Sequence, residues 1–218
     1  MVALTYTILT GLKSVDGSIK ARLNHSDVPS SDVLADAEAW INTRLRIEEM
    51  VSRSGEVLGI GVDKIAVPTG FLDPVSLHLV DAAGNNLGRI KHRAKYEVID
   101  DRNEDASGDA TSVAGPVTYA VVGKQFLFDA AADVAYTVRV TFYAKPTALS
   151  GSNATNIYTD DFRTLLRHAY LIFGYEWRKD DVRMREQLAF AMSELNALHV
   201  ADDLNTRGSS YNTEVTHG

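Results

Sequence analysis

Ala35-Asp36-Ala37-Glu38-Ala39-Trp40-Ile41-Asn42-Thr43-Arg44-Leu45-Arg46-Ile47-Glu48-Glu49-Met50 is the stretch from which the rest of the chain is read. Val33, Ala37, Trp40, Ile47 and Val51 recur at spacings of three, four and seven, with Leu34, Ile41 and Leu45 beside them. That periodicity predicts an amphipathic helix of about five turns. Arg44, Arg46, Glu48 and Glu49 fill its other sides, and Arg44 with Glu48 makes an i, i+4 pair worth a few tenths of a kcal/mol at a surface. Just upstream, Ser26-Asp27-Val28-Pro29-Ser30-Ser31-Asp32 combines a proline turn with side chains able to cap free N–H groups, a helix-start signal. Earlier still, Thr7 to Leu12 and Ile19 to Leu23 predict one or two short helices.

Downstream, the texture changes at Gly55. Val57 to Val62, Lys64 to Val67 and the alternating Val75-Ser76-Leu77-His78-Leu79-Val80 read as strands. Ala83-Gly84-Asn85-Asn86 is a turn to a further strand around Leu87 to Lys91. Tyr96 to Ile99 fits a strand or a helical turn, and Asp100 to Ala114 is acidic, small-residue-rich and aperiodic, as a surface loop would be. Thr118 to Val122, Gln125 to Phe128 and Ala135 to Tyr143 then suggest an antiparallel meander. Helical spacing returns with Phe162, Leu165, Leu166, Ala169, Tyr170, Phe173 and Trp177, breaks at Lys179-Asp180-Asp181, and resumes through Val182, Leu188, Met192, Leu195 and Leu198, a helical hairpin. After His199 the chain turns polar.

The fold class expected is therefore α+β: a helical bundle, made of an N-terminal helix and a C-terminal helical hairpin (1–54 and 150–200), carrying an inserted antiparallel β domain (55–149) and an extended C-terminal docking tail (201–218).

Composition narrows the chemistry. The chain has 218 residues, 45% of them hydrophobic, enough for a sizeable core. Its apolar runs fall far short of the ~20 residues a membrane helix needs, and its start lacks the pattern of a secretory leader, so synthesis in a cytoplasm is expected and no membrane partner. With no cysteine, disulfides, thiolate catalysis and Cys-ligated zinc are excluded. A net charge of -7 argues against a surface whose main task is gripping phosphates. The one run of cations, Arg89, Lys91, Arg93 and Lys95, suits either a strand edge kept from unwanted pairing or an acidic partner.

No reaction class stands out. The six histidines, at 25, 78, 92, 168, 199 and 217, include no i, i+4 pair and begin no zinc pattern. The acid pairs Asp100-Asp101, Asp160-Asp161, Asp180-Asp181 and Asp202-Asp203 fall at loops or helix starts, where aspartate caps are ordinary. Phosphate-binding and nucleophile-elbow motifs are missing. No catalytic residue, metal or cofactor is expected, and His168, on an apolar helix, reads as a packed or interface side chain.

In segment order the chain resembles the tailed-bacteriophage head-to-tail adaptor family, also called connector or head-completion proteins. The resemblance is carried by the block 35–50, by Pro68-Thr69-Gly70-Phe71-Leu72, by Gly115-Pro116-Val117-Thr118-Tyr119-Ala120-Val121-Val122-Gly123-Lys124-Gln125-Phe126-Leu127-Phe128, by Phe142-Tyr143-Ala144-Lys145-Pro146, and by Leu149-Ser150 to Thr155-Asn156 before the closing helices. It covers about residues 26 to 200. It implies a structural virion protein of the head-tail neck: a homo-oligomeric ring, a dodecamer, docked beneath the portal protein and meeting a tail or neck protein. Such a ring would let double-stranded DNA pass without sequence-specific binding. In that picture Arg207 and Tyr211 are anchors for the portal or a neighbouring subunit, and Arg44, Arg46 and His168 are further interface candidates. The alternative is a β-sandwich binding module for a glycan or protein, tethered by helices, with Phe71, Tyr96, Tyr119, Tyr136 and Tyr143 as stacking surfaces.

Overall fold

The computed structural model describes residues 4–10, 23, 27–101 and 113–211. In chain order the elements are α1 (Tyr6–Thr10), α2 (Ser30–Asn42), β1 (Val51–Leu58), β2 (Lys64–Ala66), β3 (Phe71–Val80), β4 (Asn86–His92), α3 (Lys95–Asp101), β5 (Thr118–Val122), β6 (Gln125–Phe128), β7 (Tyr136–Ala144), α4 (Ile157–Asp160), α5 (Arg163–Trp177) and α6 (Asp181–Tyr211). They fall into two compact units: a helical one, Met1–Glu49 with Pro146–Gly218, and a β one, Met50–Lys145. Ile19 to Arg22 of the second expected N-terminal helix, most of the acidic loop, His25 and His217 lie outside the described residues.

Helix α2 buries Val33, Leu34, Ala37 and Ile41, the face its spacing predicts, but stops at Asn42 instead of running on to Val51. In the last turn the Ala39 and Ile41 carbonyls accept from backbone N–H groups, while those of Trp40 and Asn42 are taken by nearby side chains. The Thr43 hydroxyl donates to the Trp40 carbonyl at 2.8 Å and Arg44 Nη1 to the same oxygen at 3.1 Å, while Arg46 Nη1 donates to the carbonyls of Asn42 and Leu45, both at 2.7 Å. These bonds satisfy groups that a continuing helix would have used, and Asn42 and Thr43 are weak helix formers. Leu45 and Ile47 are buried from non-helical backbone, and Glu48–Met50 form a single 3-10 turn. The expected Arg44–Glu48 helical pair does not arise; Arg44 lies over the Trp40 ring, 4.5 Å from its centroid. Trp40 itself is only half-buried.

A carboxylate stitches α2 to the segment after β7. Glu38, buried, accepts from the Leu149 N–H with both oxygens at 3.2 Å and from Asn156 Nδ2 at 2.9 Å. Asn156 is also the N-cap of α4, accepting from the Tyr158 N–H at 3.0 Å. The Tyr158 hydroxyl, fully buried, donates to Asn42 Oδ1 at 2.8 Å. Burial first, and the nearby Glu38 charge second, push its ionisation well above the ordinary tyrosine range.

Helix α5 is the centre of the helical core, with Leu165, Leu166, Ala169, Tyr170, Leu171 and Ile172 all buried. Lys179, at φ 58°, reverses the chain after it. Asp180 Oδ1 accepts from the Arg183 N–H at 3.2 Å and opens α6. The tail expected to be extended from residue 201 is helical to Tyr211. Neither proline nor glycine interrupts Val200 to Arg207, so propagation costs little once the helix is nucleated. Asp202 Oδ1 fastens the stretch by accepting from the Glu48 N–H at 2.9 Å.

The β unit is one seven-stranded sheet in the order β1-β7-β3-β4-β5-β6-β2. Along β7, Tyr136, Val138, Val140 and Phe142 are buried while Thr137 and Arg139 are exposed, the period-2 alternation of a half-buried strand. Leu58, Leu77, Leu79, Ile90, Tyr119, Phe126 and Phe128 join these β7 residues in one core. The terminal strands β1 and β2, consecutive in sequence, both reach that core, through Leu58 and Ile65. One expectation needs correction. The strands are not a simple antiparallel meander, since β5 pairs with β4 in parallel while β7 returns between β1 and β3. Of the rings expected to offer a stacking surface, Tyr119 and Tyr136 are buried, and Phe71 packs edge-on against Phe126 at 5.3 Å between centroids. Residues 96–99, undecided from sequence, are helical within α3.

Candidate functional site

The residues proposed from sequence are dispersed. Arg44 and Arg46 close the end of α2 as described. His168 sits inside the helical hairpin, its Nδ1 2.8 Å from Gln187 Oε1 and its ring 5.4 Å from that of Phe190, so it joins α5 to α6. Arg207 and Tyr211 belong to the last turns of α6. In the basic run, Arg93 is paired with Glu97 at 3.4 Å, both side chains exposed, and Lys95 opens α3. Arg89 and Lys91 alternate outward on β4 either side of buried Ile90.

What the run lacks in sequence the sheet supplies by register. Gly55 on β1 is opposite Arg139 on β7, Arg139 is opposite His78 on β3, and His78 is opposite Arg89 on β4. Residues directly opposite in antiparallel strands share a face, so these form one row across four strands. Arg53 and Lys91, two residues from Gly55 and Arg89, extend it on the same face. Arg53, Arg89, Lys91 and Arg139 are exposed, and among the described residues no carboxylate bridges to Arg53, Lys91 or Arg139. Arg89 Nη2 donates to the Val75 carbonyl at 3.1 Å, which holds its guanidinium along the sheet. Gly55 has no side chain, and a shallow trough of about 390 Å³ opens over it between Arg53, Ser54, Thr137 and Arg139. Asp73, opposite Tyr143, stands at the end of this face. Beneath it the Tyr119 hydroxyl is pushed up to about 12, by burial, against the opposing influence of Arg89.

The sequence reading singles out Arg89 and Lys91 but not Arg53, His78 and Arg139, which lie on other strands. The available signal was the strand parity of His78 and Arg139, each flanked by apolar residues; parity alone does not say which strands become neighbours.

The helical unit presents the opposite character. A groove of about 440 Å³ is lined by Pro29, Asp32, Val33, Asp36, Phe173, Glu176 and Trp177, three carboxylates around an aromatic wall. The charge balance agrees: residues of the helical unit carry twelve basic and seventeen acidic side chains, those of the β unit ten and twelve.

The long helix α6 is the third surface. Its covered stripe runs through Met184, Gln187, Ala191, Leu195, Leu198 and Asp202, at spacings of three and four. At ~1.5 Å per residue, its 31 residues span about 46 Å, and the 15 of α5 about 22 Å. Off the stripe, Val182, Phe190, Val200 and Leu204 are each more than half exposed, at 70%, 56%, 59% and 65%. Among the described residues no three of His, Asp or Glu gather as metal ligands.

A family profile described as SU10 adaptor protein matches residues 11–216, nearly the whole chain. The chain belongs to the SU10 adaptor protein family. That family is one of phage head-to-tail adaptors, which makes this SU10 adaptor protein a viral structural protein, with portal and tail proteins as its implied associates and the virion as its implied location. No curated protein matches the chain. No helix among the described residues is long and apolar enough to cross a membrane.

Proposed function

We propose that this SU10 adaptor protein assembles as a ring of twelve beneath the portal, lengthens the DNA channel and forms the platform on which the tail is built. Its task is mechanical and architectural, without catalysis. The observation that carries the reading is α6: a helix about twice the length of its partner α5, fastened at Asp202 and continuing to Tyr211 with Val200 and Leu204 uncovered. A helix of that kind is suited to enter a groove on another protein, where aromatic and arginine side chains contribute most of the binding energy. Arg207 and Tyr211, in its last turns, are the anchors on this reading. The acidic balance of the chain keeps packaged DNA from adhering as it passes.

Electron microscopy of purified protein, alone and mixed with DNA-filled heads that lack it, tests the proposal. A twelvefold ring with a central channel at the portal vertex is the expected result. Heads whose vertex stays bare at saturating protein would overturn it.

A further inference from the structure

We infer that the basic outer face of the β unit is a subunit seam, and that its occupant is the acidic face of the helical unit of a second copy. The inference rests on the ring proposed above and specifies how neighbouring subunits meet. The basic face is built from four adjacent strands, with Arg53, Arg139, His78, Arg89 and Lys91 held in register over a rigid apolar core. Strand lysines and arginines that merely discourage edge pairing would lie along one edge strand. Here they cross the sheet from β1 to β4 and border a trough at Gly55 in which a partner can approach the backbone. The occupant follows from charge. Asp32, Asp36 and Glu176 line a groove with Phe173 and Trp177 in a unit that carries the chain's acidic excess. Arginine forks match carboxylates two bonds at a time and also stack on aromatic rings, so both components of that groove suit Arg53 and Arg139.

Symmetry follows from the same charges. A cationic face cannot pair with its own copy about a two-fold axis, because like charges would be apposed; an acidic groove cannot either. Contact between a basic face and an acidic groove, made the same way from each copy to the next, is head-to-tail, the arrangement that closes into a ring when the rotation per step suits. Double-stranded DNA is the competing occupant of a basic surface, but a face of four cations in a chain of net charge -7 favours a protein partner of complementary sign.

The test is a charge-reversal set on the full chain: Arg53→Glu with Arg139→Glu, Asp36→Arg with Glu176→Arg, and all four together. The conservative pair Arg53→Lys with Arg139→Lys is the control for folding and charge. Self-association is read by sedimentation across protein concentration and salt, and ring formation by microscopy on adaptor-free heads. Wild type should associate at low salt and weaken as salt rises through ~0.1 M, where the screening length falls to ~10 Å. Each reversed pair should weaken association roughly tenfold or more, the fourfold variant should recover it, and the lysine pair should retain most of it. Association of the Arg53→Glu, Arg139→Glu protein at wild-type strength, or a fourfold variant no better than its parents, would overturn the seam. A wild-type chain that associates neither in solution nor on heads overturns it as well. A normal ring with indifferent reversals removes the seam and leaves the ring; reversals that abolish association while heads stay bare do the opposite. Retention of wild-type protein on duplex DNA, lost in the arginine pair and without self-association, would assign the face to nucleic acid and overturn the proposal.

Discussion

Replacing Glu38 by alanine separates a structural stitch from an ordinary buried side chain. Glu38 in α2 receives two donors from the far side of the β insertion, the Leu149 N–H, shared between both its oxygens at 3.2 Å, and Asn156 Nδ2 at 2.9 Å. The shared contact counts as one bond, so the alanine variant leaves two donors without this acceptor. A hydrogen bond to a charged group contributes about 1.5–3 kcal/mol, and removing one partner exposes the other's full desolvation cost. Two such bonds contribute about 3–6 kcal/mol. Relief from burying the carboxylate offsets part of it, leaving about 2–4 kcal/mol. Glu38→Gln keeps the shape but points an amide NH₂ at one of the two donors, and should cost about 1–3 kcal/mol. The assay is urea unfolding followed by tryptophan fluorescence. Both tryptophans, Trp40 and Trp177, belong to the helical unit, so the signal reports that unit rather than the β unit. The midpoint should fall at unchanged slope. An alanine variant within about 0.5 kcal/mol of wild type would refute the stitch, since that is the scatter of substitutions without structural consequence.

Other perturbations should act locally. Truncation after His199 removes the Asp202 acceptor of the Glu48 N–H and the projecting end of α6; the helical unit should lose about 1 kcal/mol in the same assay while attachment to heads is abolished. Arg46→Ala should destabilise by about 0.5–1.5 kcal/mol, seen as a lower denaturation midpoint, because the carbonyls of Asn42 and Leu45 lose a donor. Tyr119 ionises near 12 in the fold and near 10 when unfolded, so the unfolded chain releases its proton first and stability falls as pH rises from about 10 to 12. Tyr119→Phe should flatten that fall by up to about 2–3 kcal/mol between pH 9 and 12, measured by circular dichroism in urea, and an unchanged slope would contradict the burial argument.

Much of the fold was legible because it follows from period. The spacing of Leu165, Leu166, Ala169 and Tyr170 gives a helix whichever neighbours it meets, and the alternation in β7 gives a strand with a defined inner face. The end of α2 was not legible, because apolar spacing persists through Leu45 and Ile47 while Thr43, Arg44 and Arg46 take up the carbonyls that would continue the helix. Trp40, the largest apolar side chain of that helix, looked like core and is half-buried beneath Arg44. Strand pairing was less legible still: the parallel contact of β4 with β5 and the return of β7 between β1 and β3 are choices of the whole sheet. The candidate surface inherits that difficulty. Arg53, His78, Arg89 and Arg139 become neighbours only after register is fixed, so a linear scan finds the cations crowded between 89 and 95 and misses those aligned across strands.

The way the chain enters and leaves the β unit carries a consequence for how such a protein can change over time. Val51, at the start of β1, is paired with Tyr143, near the end of β7. The two crossings are thus side by side, at the ~4.5–5.5 Å separation of an antiparallel pair. A segment whose ends are so close asks of its host only the closure that a tight turn would provide. It can be lengthened, shortened or exchanged as a cassette with little strain on the helices that carry it. Selection can then refit what the β unit touches, one partner at a time, while α2, α5 and α6 keep the same packing.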